Sequence, residues 1–179
     1  DAGDPGDSDP SAREAVVYSN RQLPPGSCTY PQHCIGQGFA VVTEHDTYEG
    51  ADVQTMGPHL RRQLFNYEDA RSDLRGRGFL GFGTVRQWDA DRAAETITTY
   101  DNATSDDNGI HLVYPGAMRP KTVLRVVPMN SATAFPNARL SKTTYVDELV
   151  RLNQGKTYFV YPSSWETLEW EETVTVSHS

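Results

Sequence analysis

Short stretches of alternating apolar and polar residues, separated by turn residues, run along most of the chain. In segment 84–88, Val85 and Gln87 alternate with a β-branched, a charged and an aromatic residue. This period of two predicts strands, and only Tyr145–Leu152 has helical potential. We therefore predict an all-β fold of antiparallel β-hairpins. Further strands are predicted at 16–18, 39–43, 62–67, 95–100, 122–127, 140–151, 156–161 and 165–176.

Turn residues indicate which of these strands form hairpins. Asp89-Ala-Asp91 follows the strand at 84–88 and is predicted to turn the chain back into the strand at 95–100. Asn153-Gln-Gly155 predicts a second hairpin nearer the end of the chain. Both turns connect neighbouring strands, as expected for a sheet assembled from hairpins.

Four glycines lie between residues 76 and 83, in the sequence Gly-Arg-Gly-Phe-Leu-Gly-Phe-Gly. Gly76, Gly78 and Gly81 have the spacing of a dinucleotide-binding loop, which must open a helix to hold a phosphate. A strand is predicted directly after them, so we do not expect a nucleotide site. We interpret the glycines as positions for positive φ and for close packing beneath Phe79 and Phe82.

The chain has a formal net charge of −8, from 16 basic and 24 acidic residues. Residues 1–10 contain four aspartates and no basic residue, which predicts a flexible acidic tail or linker at 1–14 before a β domain at 15–179. The remaining charges are interspersed, so we expect no nucleic-acid partner. No apolar run approaches the roughly 20 residues of a membrane span, and none is expected.

Cys28 and Cys34 are the only cysteines. Pro31 between them favours a turn that brings their Cβ atoms together, which predicts a disulfide if the protein is secreted. The chain-entropy model gives so short a loop at most about 3 kcal/mol of stabilisation. Two buried thiols are the alternative. A metal site is not expected, because His33 and the two cysteines lack a second pair of ligands at the usual spacing.

No set of residues typical of a catalytic site is found. The sequence lacks H-E-x-x-H, G-x-S-x-G and P-loop motifs, and its histidines are scattered. We therefore predict no catalytic residues and no cofactor. Paired carboxylates hydrolyse glycosides, so a hydrolase remains an alternative, although a solvated strand face is the favoured interpretation. The carboxylates and aromatics concerned are Glu166, Glu169, Glu171, Glu172, Trp165 and Trp170.

The stretch from Tyr67 to Asp101 resembles a block of the Rhs/YD-repeat proteins, in particular the B component of insecticidal toxin complexes and related secreted virulence proteins. In that block, Tyr-x-Gly/Asp-Ala-x-x-Asp lies two positions before Gly-Arg-Gly-Phe-Leu-Gly-Phe, and a strand followed by Thr-Thr-Tyr comes next. Segments 30–34 and 155–162 resemble neighbouring blocks, so the resemblance covers most of 28–162. The signature residues, which it implies to be structural, are Gly76, Gly78, Phe79, Gly81, Phe82, Tyr100 and Asp101.

In that family, arrays of β-hairpins wind into a hollow shell that encloses a toxic C-terminal polypeptide. The resemblance implies a non-catalytic, secreted or extracellular protein whose partner is the remainder of a larger parent chain or a toxin-complex protein. Because 179 residues cannot close such a shell, we expect a wall segment or a small β domain. A secreted module that binds a carbohydrate, such as a surface glycan, or a receptor is the alternative. The residues expected to pack the wall are Tyr67, Phe79, Phe82, Trp88 and Tyr100.

Overall fold

The computed structural model describes residues 14–21, 27–36, 39–51, 58–107, 109, 112–129 and 137–173. Within these ranges the chain forms thirteen strands and no α-helix, and every strand pairing is antiparallel. The all-β prediction is therefore confirmed. The strands are β1 (Glu14–Arg21), β2 (Gln32–Cys34), β3 (Phe39–Ala51), β4 (Pro58–Glu68), β5 (Arg71–Asp73), β6 (Gly78–Gly81), β7 (Thr84–Asp89), β8 (Ala94–Tyr100), β9 (Asp106–Asp107), β10 (Leu112–Val113), β11 (Pro120–Pro128), β12 (Asn137–Leu152) and β13 (Thr157–Thr173).

Eight of the strands form one large sheet in the order β1-β3-β4-β7-β8-β11-β12-β13. Strands that follow one another in this sheet are neighbours, so it is a meander of hairpins. The predicted β7–β8 hairpin is present, with Thr84 opposite Thr99. The predicted turn at Asn153–Gly155 is also present, as a single 3-10 turn between β12 and β13. No helix of the described residues has the length and apolarity needed to cross a membrane.

The prediction of helical potential at Tyr145–Leu152 is wrong. This stretch is the second half of β12, and it pairs with β13 from Tyr145 opposite Trp165 to Leu152 opposite Thr157. The short turn after Leu152 places β13 alongside, and the ladder then satisfies the backbone groups that a helix would have satisfied internally. Tertiary pairing has thus overridden local preference.

The large sheet is exposed to solvent at its β13 end. Residues 162–172 are all exposed. Trp165 and Leu168 project from opposite faces, because an odd number of positions separates them, yet they are 70% and 55% exposed. Both faces of the sheet therefore reach solvent at this end. The buried apolar residues of the described ranges are Val41, Ala70, Leu80, Ala94, Val113, Tyr114, Ala138 and Leu140.

A small sheet in the order β2-β5-β6 is built from residues far apart in sequence. Gln32 on β2 lies opposite Asp73 on β5. Cys28, which precedes β2, forms a disulfide with Cys34, the last residue of β2. Their Cα atoms are 5.5 Å apart. The loop is fixed to β5 by a hydrogen bond from the Leu74 N–H to the Pro31 carbonyl, 2.9 Å long. The disulfide thus closes the loop of residues 28–34, while strand pairing and this hydrogen bond hold β2 beside β5.

The predicted acidic tail at 1–14 lies outside the described residues except for Glu14, the first residue of β1. The two strands predicted separately at 156–161 and 165–176 are one continuous strand, β13, which is described as far as Thr173. A two-stranded sheet of β9 and β10 completes the described architecture.

Candidate functional site

The segment from Gly76 to Gly83, here called the glycine block, passes from the small sheet into the large one. Gly76, Gly78 and Gly81 have φ angles of +108°, +75° and +94°, in the left-handed region that glycine enters without steric cost. The Asp73 carboxylate accepts a 3.1 Å hydrogen bond from the Arg77 N–H and closes the turn before β6. Because strand β7, not a helix, follows the block, no helix N-terminus is available there to hold a phosphate.

Gly83 serves a different purpose from the other three glycines, since it provides space. A Cβ atom at this position would lie 2.6 Å from Asp69 Oδ2 and 2.9 Å from Asp69 Cβ. The Gly83 N–H donates to the Glu68 and Asp69 carbonyls, both at 3.0 Å, and its carbonyl accepts from the Tyr100 N–H at 2.8 Å. Gly83 is thus the point where the end of β4 and the end of β8 meet the block.

The aromatic residues of the block pack together. Phe82 lies between Tyr67 and Phe79, with ring centroids 4.6 Å and 5.4 Å apart, and the Phe79–Phe82 contact is edge to face. Burial raises the pKa of the Tyr67 hydroxyl. Trp88 differs from them because it is 40% exposed. The packing interpretation therefore fits the aromatic trio better than it fits Trp88.

Tyr100 and Asp101 end strand β8 and start the next loop. The Asp101 carboxylate accepts hydrogen bonds from the Thr104 N–H at 3.0 Å and the Thr104 hydroxyl at 2.9 Å. Burial acts to raise the pKa of Asp101, but these hydrogen bonds and the charge of Lys121 hold the pKa below its usual value. The Asp101 backbone also lies against Gly116, where a Cβ would approach the Asp101 carbonyl to 2.7 Å. The Tyr-Asp pair therefore shapes a turn.

Asn102, the next residue, holds the assembly together and was not predicted. It is 1% exposed, and its Nδ2 donates to the Asp69 carbonyl at 2.9 Å and the Gly81 carbonyl at 3.2 Å. It thus joins the loop after β8 to both ends of the glycine region. Asn102-Ala-Thr104 also matches the N-glycosylation acceptor pattern, but the folded protein buries that amide. The only sequence signal for a structural role of Asn102 was its position directly after the Tyr-Asp pair.

The small sheet is fixed to this assembly by buried polar groups. Asp73 is 4% exposed, and its second oxygen accepts a 3.3 Å hydrogen bond from the Tyr114 hydroxyl. Burial and the adjacent Asp73 charge raise the pKa of Tyr114. Arg71 donates to the Asp69 carboxylate at 2.9 Å and to the Gln32 side chain at 2.7 Å. These side chains thus pair with one another and hold the small sheet against the assembly.

The carboxylates and tryptophans near the end of the chain do not converge. Trp165 lies opposite Tyr145, whereas Trp170 lies opposite Leu140, so the two indoles are on different faces of the sheet. Glu169 and Glu171 share the Trp165 face, and the other two glutamates share the Trp170 face. Within the described ranges, no group of three His, Cys, Asp or Glu side chains is arranged to hold a metal ion.

The geometry of the block is that of a packed junction between two sheets. Of the residues that the sequence grouped, Phe79 packs on Phe82 and the Gly81 carbonyl accepts from Asn102, whereas Gly76 and Gly78 lie at exposed positions. Comparisons of the chain with family models, with curated proteins and with solved structures found no match.

Proposed function

We propose that the chain is a non-catalytic β segment of a secreted Rhs/toxin-complex-like protein, and that it forms part of a wall enclosing a toxic polypeptide. The observation that carries the proposal is the large sheet itself. It is a meander of eight antiparallel strands whose last strand, β13, spans 17 residues and has both faces in solvent. A sheet of this shape suits a wall more than a compact globular core.

The glycine block supports the same role. Gly83 and the aromatic residues are used in close packing, Gly76, Gly78 and Gly81 provide positive φ, and Asn102 makes internal hydrogen bonds. These structural uses support the proposed wall role. The Cys28–Cys34 disulfide is compatible with the oxidising environment of secreted proteins.

A long edge strand is also consistent with pairing to further strands. The ladder between β12 and β13 extends from Asn137 opposite Thr173 to Leu152 opposite Thr157. An exposed edge of this length is a template for another strand, which the remainder of a parent chain or a toxin-complex partner would supply. Recognition of a surface glycan or receptor through exposed Trp165 is the alternative function.

Protection of the enclosed polypeptide from protease tests the proposal. The natural protein that carries this sequence is digested under native conditions. The control is the enclosed polypeptide expressed alone. We expect the polypeptide to survive inside the intact protein and to be degraded when alone. Equal rates of degradation, with the sheet still folded by circular dichroism, would contradict enclosure.

A further inference from the structure

Three arginine side chains surround a small cavity on one face of the large sheet, outside the glycine block. The cavity has a volume of about 140 Å³. No feature of the wall role explains a cluster of cations at this place. Its polar lining is Arg61, Gln87, Asp89, Arg92, Thr96 and Arg125.

The sheet brings these residues together from four strands and one turn. Thr96 on β8 lies opposite Gln87 on β7 and opposite Arg125 on β11. Residues directly opposite one another in antiparallel strands share a face. Arg61 reaches the same place from β4, and Arg92 from the turn between β7 and β8.

Asp89 is the one carboxylate in the lining, and its two oxygens are already engaged. Oδ2 accepts from Arg61 Nη2 at 2.7 Å, and Oδ1 accepts from the Arg92 N–H at 3.2 Å. Burial acts to raise the pKa of Asp89, but the hydrogen bond and charge of Arg61, together with Arg92, hold the pKa below its usual value. Asp89 therefore remains ionised at neutral pH and neutralises one of the three guanidinium charges.

Within the described part of the chain, Arg92 and Arg125 have no such partner. Among the described residues, neither side chain has a carboxylate oxygen within the 4.0 Å limit of an ion pair. Three arginines and one aspartate give the lining a formal charge of 3 − 1 = +2, in a chain whose net charge is −8. The cavity is thus a local site for an anion on an acidic protein.

We propose that this cavity binds one tetrahedral oxyanion group, a phosphate. A phosphate group carries about −1.5 to −2 charges at neutral pH, which matches the +2 of the lining. Guanidinium forks recognise phosphate oxygens by paired, charge-assisted hydrogen bonds. The Thr96 hydroxyl and the Gln87 amide provide further donors. The volume accommodates the phosphate group and excludes a nucleotide from full burial.

A titration of the full chain with inorganic phosphate tests the site. Binding is monitored by the NMR chemical shifts of backbone amides, and chloride keeps the ionic strength constant. We expect saturable shifts centred on Gln87, Arg92 and Thr96. Replacing both exposed arginines, Arg92→Gln with Arg125→Gln, should weaken binding by about tenfold or more, since a hydrogen bond to a charged group contributes about 1.5–3 kcal/mol. Glycerol phosphate, a monoester, is titrated in parallel and binds equally if the phosphate group alone is recognised.

Arg139→Gln is the matched control, because Arg139 is an exposed arginine on the neighbouring strand β12 and lies outside the cavity lining. It should leave phosphate binding unchanged. The proposal is overturned if the shifts do not saturate, if chloride alone reproduces them, or if the double variant binds phosphate as tightly as the unmodified chain. Equal weakening by Arg139→Gln would also contradict it, since that result indicates general screening of charge.

Discussion

Gly83→Ala is expected to lower the free energy of unfolding by about 3 kcal/mol, the upper end of the range for overpacking a tight site. The added Cβ would meet Asp69 at 2.6 Å (Oδ2) and 2.9 Å (Cβ). Rotation of the Asp69 side chain relieves only the first contact, because Cβ is fixed by the backbone. Chemical denaturation, with equal m-values for both proteins, measures the change.

Gly78→Ala separates lack of space from strain at positive φ. Gly78 has a φ of +75°, and a Cβ there would meet nothing within 4 Å. Its substitution should cost only about 1 kcal/mol, from the left-handed conformation alone. A cost at Gly83 no larger than that at Gly78 would contradict the packing explanation.

A double-mutant cycle with Asp69→Gly locates the cause more closely. Asp69 has a positive φ of 56°, which glycine adopts freely, so the single change should be well tolerated despite loss of the Arg71 ion pair. In that background, Gly83→Ala should lose most of its effect, because the atoms that it strikes are gone. Additive effects of the two substitutions would show that the clash with Asp69 is not the cause.

Asn102→Ala is expected to destabilise the protein by about 3 kcal/mol, also in chemical denaturation. The change removes both hydrogen bonds from Nδ2, at 2.9 Å and 3.2 Å, and leaves the Gly81 carbonyl without this donor in a buried place, whereas the Asp69 carbonyl keeps its hydrogen bond from the Gly83 N–H. Each unsatisfied buried group costs about 1–3 kcal/mol, and the deleted side chain leaves a cavity in addition.

The isosteric variant Asn102→Asp distinguishes hydrogen bonding from packing. A carboxylate keeps the shape of the side chain but has no N–H to donate, and it places a charge beside two carbonyl oxygens. We therefore expect Asp to destabilise at neutral pH at least as much as Ala. If Asp is tolerated and Ala is not, packing is what Asn102 contributes.

The alternation of side chains was sufficient to predict antiparallel hairpins, but not their assembly into one eight-stranded sheet. The pattern at 84–88 identified β7 and placed Val85 and Gln87 on one face, which the pairing of Val85 with Tyr67 and of Gln87 with Phe65 confirms. The alternation of residues with a period of two determines which residues share a face of the sheet. It does not determine whether other parts of the protein pack on that face. The exposure of Trp88 and Trp165 was therefore beyond the pattern.

The small sheet and the cavity could not be read from local sequence. Strands β2 and β5 have three residues each, too few for a periodic signal, and they pair across about forty positions of chain. The arginines of the cavity come from β4, from β11 and from the turn between β7 and β8, so only the folded sheet assembles them. Asn102 gives no local sign of burial, because asparagine after a strand is typical of an exposed turn.

Electron cryomicroscopy of the intact natural protein tests the central claim most directly. We expect a hollow body with residues 14–173 in its wall, with the outer edges of β1 and β13 each hydrogen-bonded to a neighbouring strand and with polypeptide inside. A body in which this sheet stands apart, with both edges unpaired and no enclosed chain, would contradict the account.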